Sequence, residues 1–387
     1  MNTRRIGSLT VSVVGLGCNN FGRRLDAAGT ERVVHAALDA GITLFDTADI
    51  YAKGESEEYL GRALGARRDE VMIATKFGKP MDERRRGARP EYVRQAAEDS
   101  LRRLGTDHID LYQIHEPDPS VPIAETLGAL DELVRAGKVR EIGCSNFSAE
   151  QLREANGAAP PGAARFVSVQ NEYSLLNREP EQGVLAECER LGLAFIPYFP
   201  LASGLLTGKY RAGKPAPAGS RLASDGKTGS RVSEDELALV ERLIAFAESR
   251  RHTVLELAFG WLIAHRLVAS VIAGATKPEQ VTANVAAAGW RLTNDELAEV
   301  DAIVGAPVRA RGGALTAVTL TPPCPPSARA RCAGSGATPP TQYGERDAVG
   351  HPTRASAPTS LRASSSPPPL HTTLPRGTHI GRTPPHR

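Results

Sequence analysis

Three apolar runs in the first third of the chain each end in a polar group that has no reason to be buried. Thr43-Leu-Phe45 runs into Asp46, Val71-Met-Ile-Ala-Thr75 into Lys76, and Leu111-Tyr-Gln-Ile114 into His115. Tyr51 follows Asp46 by five residues, close enough to fold back over the same spot. A carboxylate, an ammonium, an imidazole and a phenol in one place form a proton-transfer set. A phenol titrates near ~10, and an adjacent ammonium stabilises the phenolate and lowers that value. A partly buried lysine needs a counter-charge, which Asp46 can supply. A neutral imidazole can hydrogen-bond a carbonyl oxygen and orient it. Together the set would protonate a carbonyl whose carbon accepts a hydride. Each residue alone has a plainer reading: Asp46 and Lys76 as a rim salt bridge, Tyr51 as loop packing, His115 as a satisfied buried side chain. Four compatible groups at three neighbouring strand ends favour chemistry.

The elements needed to bring them together can be read from the apolar pattern. Eight short apolar runs recur: Val11–Leu16, Thr43–Phe45, Val71–Ala74, Ile109–Ile114, Val139–Gly143, Phe166–Val169, Ala194–Ile196 and Ser270–Ile272. Helical periodicity lies between most of them, at Thr30–Asp39, Ser56–Leu64, Pro90–Leu104, Pro122–Arg135, Ala149–Ala155, Glu181–Leu191 and Thr253–His265. Gly41, Gly105 and Gly137 stand where helices stop, and Pro90 and Pro278 where they start. Repeated strand–helix units predict an α/β fold, a closed (β/α)8 TIM barrel over residues 1–305. A doubly wound sheet is the competing fold. It would want GxGxxG after the first strand, but Gly15-Leu-Gly17-Cys-Asn-Asn lacks the third glycine and leads into no immediate helix, and no Walker A loop is present. Catalytic groups of such barrels sit at the C-terminal ends of strands, and the long stretch Phe199–Ser233 is expected to cover that face.

Composition separates residues 306–387 from the rest. That tail holds 15 of the 28 prolines, ten arginines, no lysine and two acids, a net +8 within a whole-chain charge of +3, which leaves −5 for residues 1–305. It lacks apolar periodicity and predicts disorder; a lost stop codon with frameshifted sequence beyond it would give a similar composition. A basic tail could bind nucleic acid, but its charges are scattered and Tyr343 is its one aromatic, so no nucleic-acid partner is expected. Arg4 and Arg5 before an apolar stretch mimic a signal peptide, but Ser8, Thr10 and Ser12 interrupt the stretch and the cleavage pattern is poor. No apolar run reaches the ~20 residues of a membrane span. The five cysteines form no CxxC pair, and a reducing cytoplasm is the expected setting.

Phe45-Asp-Thr-Ala-Asp-Ile-Tyr51, Ala74-Thr-Lys76, Tyr112-Gln-Ile-His115, Gly143-Cys-Ser-Asn-Phe147 and Val169-Gln-Asn-Glu-Tyr173 resemble, in order and spacing, motifs of the aldo-keto reductase family, from about Arg5 to Gly305. The resemblance implies reversible reduction of a small-molecule carbonyl by NADPH (or, second, NADH), without metal and without a Rossmann fold. It implies Tyr51 as proton donor, tuned by Lys76 and Asp46, and His115 as the residue that orients the substrate. Ser145, Asn146 and Gln170 would hydrogen-bond the nicotinamide amide, and Tyr198 would stack on its ring. Leu201-Ala-Ser-Gly-Leu-Leu-Thr207 resembles the pyrophosphate-covering loop, with Pro200, Leu201, Ser203, Leu205 and Lys209 as candidates. Ile272 to Asn284 resembles the segment that holds the adenosine end, with Gly274, Thr276, Lys277, Gln280 and Asn284. There a loop feeds a helix N-terminus, whose free N–H groups and dipole favour phosphate. Two positions depart from the family pattern: Gln280 where many members have Arg, which weakens the pull on a 2′-phosphate, and Phe199 where Ser is common. Asn20, Phe21, Phe77 and Tyr173 are further candidates for the substrate pocket. Similarity to potassium-channel β subunits around Glu125–Arg140 offers an alternative, a regulatory subunit that binds NADPH and turns over slowly. No motif specifies an oligomeric state.

Overall fold

The computed structural model describes residues 1–211, 213–217, 220 and 232–305. The chain divides into two units, Met1–Thr316 and Ala317–Arg387, and every described residue belongs to the first. The expectation of a disordered tail over 306–387 lies outside the described residues, as does part of the long loop between Phe199 and Ser233.

Eight strands run parallel: β1 (Val14–Gly17), β2 (Leu44–Asp46), β3 (Met72–Phe77), β4 (Ile109–Ile114), β5 (Val139–Ser145), β6 (Phe166–Glu172), β7 (Ala194–Tyr198) and β8 (Val271–Gly274). They pair in the order β8-β1-β2-β3-β4-β5-β6-β7. The seam between β7 and β8 is bridged at Phe195, whose N–H donates to Leu267 O (2.8 Å) and whose carbonyl accepts from Ala269 N (2.9 Å). With helices between successive strands, this is a (β/α)8 barrel. Strands in such a sheet are covered on both faces and so read as continuous apolar runs; every residue of β4 is buried, Asp110 and Gln113 included. Asp110 keeps its place by accepting from Arg68 (2.8 Å), Arg140 (2.7 Å) and the Ile73 N–H (2.9 Å).

The helices among the described residues are α1 (Ala27–Asp39), α2 (Glu55–Leu64), α3 (Pro90–Leu104), α4 (Ile123–Arg135), α5 (Ala149–Ala158), α6 (Val184–Leu191), α7 (Glu234–Ser249), α8 (Val254–Ala264), α9 (Pro278–Ala287) and α10 (Asn294–Val304). Their ends follow local chemistry. Asp26 caps α1 by accepting from Gly29 N (2.7 Å). Pro90 opens α3, and Gly105 closes it in the left-handed region at φ +65°.

One expected strand is divided. The run Val11–Leu16 breaks at Val13: Leu9–Ser12 pairs antiparallel with Thr3–Ile6 as a hairpin, and only Val14–Gly17 joins the barrel. Ser12 makes the break, because its hydroxyl donates to Val14 O (2.7 Å) and accepts from Thr43 N (2.9 Å), replacing ladder bonds. The hairpin buries Ile6, Leu9 and Val11 against Leu44, Ala74, Leu111, Ile196 and Ile272, the interior of the barrel. It closes the N-terminal end, which leaves the C-terminal end for a site. Arg4 fastens the hairpin by donating to the carbonyls of Ile263, His265 and Val268.

Candidate active site

The barrel brings the four chemical residues together. Asp46 ends β2, Lys76 lies one residue from the end of β3, and His115 follows β4, its N–H donating to Phe77 O (2.8 Å). Lys76 is fully buried and Asp46 nearly so. Lys76 Nζ donates to Asp46 Oδ2 (2.7 Å) and to Thr47 O (2.9 Å). The other carboxylate oxygen accepts from Gln170 Nε2 (2.8 Å) and, at the limit of a hydrogen bond, Gln113 Nε2 (3.5 Å). The buried pair is thus both neutralised and hydrogen-bonded, the condition under which a buried ion pair is tolerated. Tyr51 opens a short 3-10 turn (Tyr51–Gly54) with Ala52 and Lys53 at φ +48° and +56°. Its ring lies 5.3 Å from Lys76 Nζ and edge-on to His115, centroids 5.8 Å apart at 82°.

The electrostatics correct one expectation. Burial pushes the Tyr51 phenol above its ordinary value; Lys76 opposes this without overcoming it, and Asp46 adds to the rise. Desolvation of a phenolate in this wall outweighs the nearby ammonium, part of whose charge is already spent on Asp46. Burial also pulls the Lys76 ammonium down, but Asp46 and the phenol more than offset it, and the net direction is up. Tyr51 is therefore a protonated phenol beside a cation at neutral pH, a donor state. His115 moves the other way. Burial, then Lys76 and Lys79, hold its imidazole down at about 2, so the ring is neutral. Its Nδ1 is buried and has no hydrogen-bond partner.

These groups open onto a cleft of about 640 Å³ at the C-terminal end of the barrel. Asp46, Tyr51 and His115 line it; Lys76 stands behind them. Of the residues expected to hold a cofactor, Ser145, Asn146, Gln170, Tyr198, Pro200, Leu201, Ser203, Lys209, Gly274, Thr276, Gln280 and Asn284 line the same cleft. Two do not. Leu205 is buried on the far side of its loop, facing a neighbouring pocket, because the apolar side chain packs into the core. Lys277 is the N-cap residue of α9, exposed and outside the cleft wall. Among the pocket candidates, Asn20 lines the cleft, whereas Phe21, Phe77 and Tyr173 are fully buried. Phe77 packs on Tyr112 (4.8 Å), and Tyr173 on Phe195 and Trp261 (5.6 and 5.0 Å), with its hydroxyl on Glu181. Phe199 lines the cleft, 40 % exposed and at φ +52°.

A network of amides shapes the centre of the cleft. Asn146, left-handed at φ +63°, donates from Nδ2 to His115 O (2.8 Å) and Ser145 Oγ (3.1 Å), and accepts from the Tyr198 hydroxyl (2.8 Å). Ser145 Oγ donates to Gln170 O (2.8 Å). Asparagine tolerates the left-handed region, so one residue ties β4, β5, β6 and β7 together. At the other end, Gln280 Oε1 accepts from Thr276 N (2.7 Å) and Thr276 Oγ1 (3.2 Å) across the mouth of α9. Gly274 keeps that floor open: a Cβ there would come within 3.2 Å of Asn20 Nδ2. The apolar-run reading missed Asn19, Arg24, Lys79, Thr207 and Ala283, which also line the cleft. They sit on loops and helix faces, where strand-end placement gives no signal.

A parallel eight-stranded barrel with a Tyr–Lys–Asp–His set and a long cleft at its C-terminal end defines a class of barrel oxidoreductase. The model of the aldo/keto reductase family matches residues 13–304, and the chain belongs to that family, whose members use a nicotinamide cofactor. It is 35 % identical over 305 residues to aldo-keto reductase YhdN of Bacillus subtilis (strain 168), covering 76 % of this chain and 91 % of that one. It is 33 % identical over 298 residues to probable aldo-keto reductase 1 of Glycine max, covering 75 % and 84 %. The solved glycerol dehydrogenase AKR11B4 from Gluconobacter oxydans superposes with a TM-score of 0.68 at 35 % identity, covering 78 % of this chain and 94 % of that one. Among the described residues, no helix is long and apolar enough to cross a membrane.

Proposed function

We propose that the protein reduces aldehydes or ketones to alcohols with NADPH, Tyr51 giving the proton. The observation that carries this reading is the Lys76 ammonium held by Asp46 at 2.7 Å and lying 5.3 Å from the Tyr51 ring, with a neutral imidazole edge-on to that ring. The nicotinamide, when bound, supplies a hydride to the carbonyl carbon. Tyr51 donates its hydroxyl proton to the carbonyl oxygen as that oxygen gains charge. Lys76 stabilises the phenolate left behind, and Asp46 keeps Lys76 charged and aimed. His115, uncharged, offers a ring N–H to the same oxygen and fixes its direction. The partnerless Nδ1 of His115 and the open floor at Gly274 fit a long ligand lying along the cleft.

Ser145, Asn146 and the Gln170 amide would bind the carboxamide end, with Tyr198 against the ring. One of the two Gln170 donors is already used on Asp46. Pro200, Leu201, Ser203 and Lys209 would cover the pyrophosphate, and Gly274, Thr276, Gln280 and Asn284 would take the adenosine. Lys277, outside the cleft wall, would serve as a charge for the 2′-phosphate rather than as a lining residue. Gln280 competes for the Thr276 N–H, so the preference for NADPH over NADH is smaller than a guanidinium at this position would confer. The name of the glycerol dehydrogenase relative makes small hydroxylated aldehydes and ketones the first substrates to try.

The test is Tyr51→Phe. NADPH binding, read by fluorescence, should persist, while NADPH oxidation with glyceraldehyde or benzaldehyde should fall at least ~100-fold, the scale of a lost general acid. Full turnover in that variant would overturn the mechanism. Tight NADPH binding with negligible wild-type turnover across a carbonyl panel would instead favour a regulatory subunit.

A further inference from the structure

Asp49 belongs to the Phe45–Tyr51 motif, yet nothing in the proposed chemistry uses it. It is 1 % exposed and lies two residues before Tyr51. Its backbone N–H donates to the carbonyl of Lys76 at 3.1 Å, tying it to the strand that carries the ammonium. The carboxyl is poorly served. Tyr92 of α3 donates to Oδ2 at 3.3 Å, a long bond, and Oδ1 is buried without a full hydrogen bond, although the adjacent Ile50 N–H pulls the carboxyl's pKa down. Three further polar groups act on it from the surrounding elements. Glu57 of α2 is fully buried and accepts from Thr75 Oγ1 (2.5 Å) and Arg103 Nε (2.7 Å). Arg103 of α3 is thereby committed to Glu57. Tyr112 of β4 has a buried hydroxyl with no partner.

The turn above this pocket is under strain. Ala52 and Lys53 occupy the left-handed region, and Gly54 sits at φ +100° directly on Arg103, where a Cβ would come within 2.7 Å of Cδ. Ionised, Asp49 is a buried carboxylate with the Ile50 N–H, one long side-chain donor and a second carboxylate for a neighbour. Protonated, it carries no charge and gains a donor of its own. Burial, with Glu57 adding to it, holds the carboxyl up at about 7.

We infer that Asp49 is a positioning residue for Tyr51: protonated it lets the 49–54 turn settle against Lys76, and ionised it displaces the turn and carries the phenol away from its donor position. This rests on Tyr51 being the proton donor. The test uses the full chain, NADPH and benzaldehyde, with kcat/KM followed across neutral pH. The wild type should lose about tenfold through a step near neutrality, less than the ~100-fold that a 1 Å misplacement can cost, and well before the Tyr51 phenol itself ionises. Asp49→Asn should remove that step and keep the alkaline limb. Tyr92→Phe takes a donor from the ionised form, so its step should move to higher pH; this variant also decides the matter if Asp49→Asn does not fold. A step absent from the wild type, a step retained in Asp49→Asn, or a step unmoved or lowered in Tyr92→Phe would each overturn the inference. If Tyr51→Phe keeps turnover, the mechanism fails first; if it is inactive while Asp49→Asn keeps the step, the positioning role alone fails.

Discussion

Replacing Asp46 with Asn keeps the shape of the site but takes the counter-charge from Lys76. The ammonium is fully buried and donates to Asp46 Oδ2 at 2.7 Å and Thr47 O at 2.9 Å. After the change only neutral acceptors remain. The single amide oxygen of Asn can face Lys76 only by setting its NH2 group against Gln170 Nε2, so the Gln170 bond is lost as well. The larger loss is that of the buried charge pair. Breaking such a pair from one side costs ~3–5 kcal/mol, because the other charge is left uncompensated. For a domain of this size each kcal/mol moves Tm by ~2–4 °C, so a drop on the order of 10 °C is expected in a thermal unfolding scan at neutral pH. The double variant Asp46→Asn with Lys76→Met removes the stranded charge and should regain most of that loss, while both variants should be catalytically dead. The reasoning fails if Asp46→Asn stays within ~1 kcal/mol of wild type, or if the second substitution restores nothing.

Two other outcomes follow from the same geometry. Gln280→Arg removes the acceptor that occupies the Thr276 N–H and adds a guanidinium at the mouth of α9; charge-assisted bonds worth ~1.5–3 kcal/mol should raise the NADPH-to-NADH ratio of kcat/KM by roughly 10- to 100-fold, and an unchanged ratio would place the 2′-phosphate elsewhere. Arg4→Ala frees three carbonyls around the end of α8 and should cost ~2–4 kcal/mol of stability with little change in kcat at room temperature; equal loss of activity in the folded variant would mean the hairpin does more than close the barrel.

Most of the barrel was legible because a strand buried on both faces must be apolar along its length, and the eight runs say so. Helix boundaries such as Pro90–Leu104 follow from proline and glycine chemistry that acts within a few residues. Asp46, Lys76 and His115 stood out because each interrupts such a run at its end. The hairpin was not legible, since Leu9–Ser12 and Val14–Gly17 read as one strand; the Ser12 bonds to Val14 O and, across thirty-one residues of chain, to Thr43 divide them. Phe21, Phe77 and Tyr173 show the same limit, because an aromatic beside a motif can face the cleft or the core and its residue type is compatible with both.

Local periodicity and residue type specify the repeating βα pattern, the strand-end acid, lysine and imidazole, and the family motifs. Folding in three dimensions supplied the rest. It put Gln170 on Asp46, left Leu205 in the core and Lys277 outside the cleft wall, brought Arg24 and Lys79 to the cleft, and raised Tyr51 where a neighbouring lysine suggested lowering. Those outcomes depend on distance and desolvation between residues far apart in the chain, and neither quantity is written in the order of the residues.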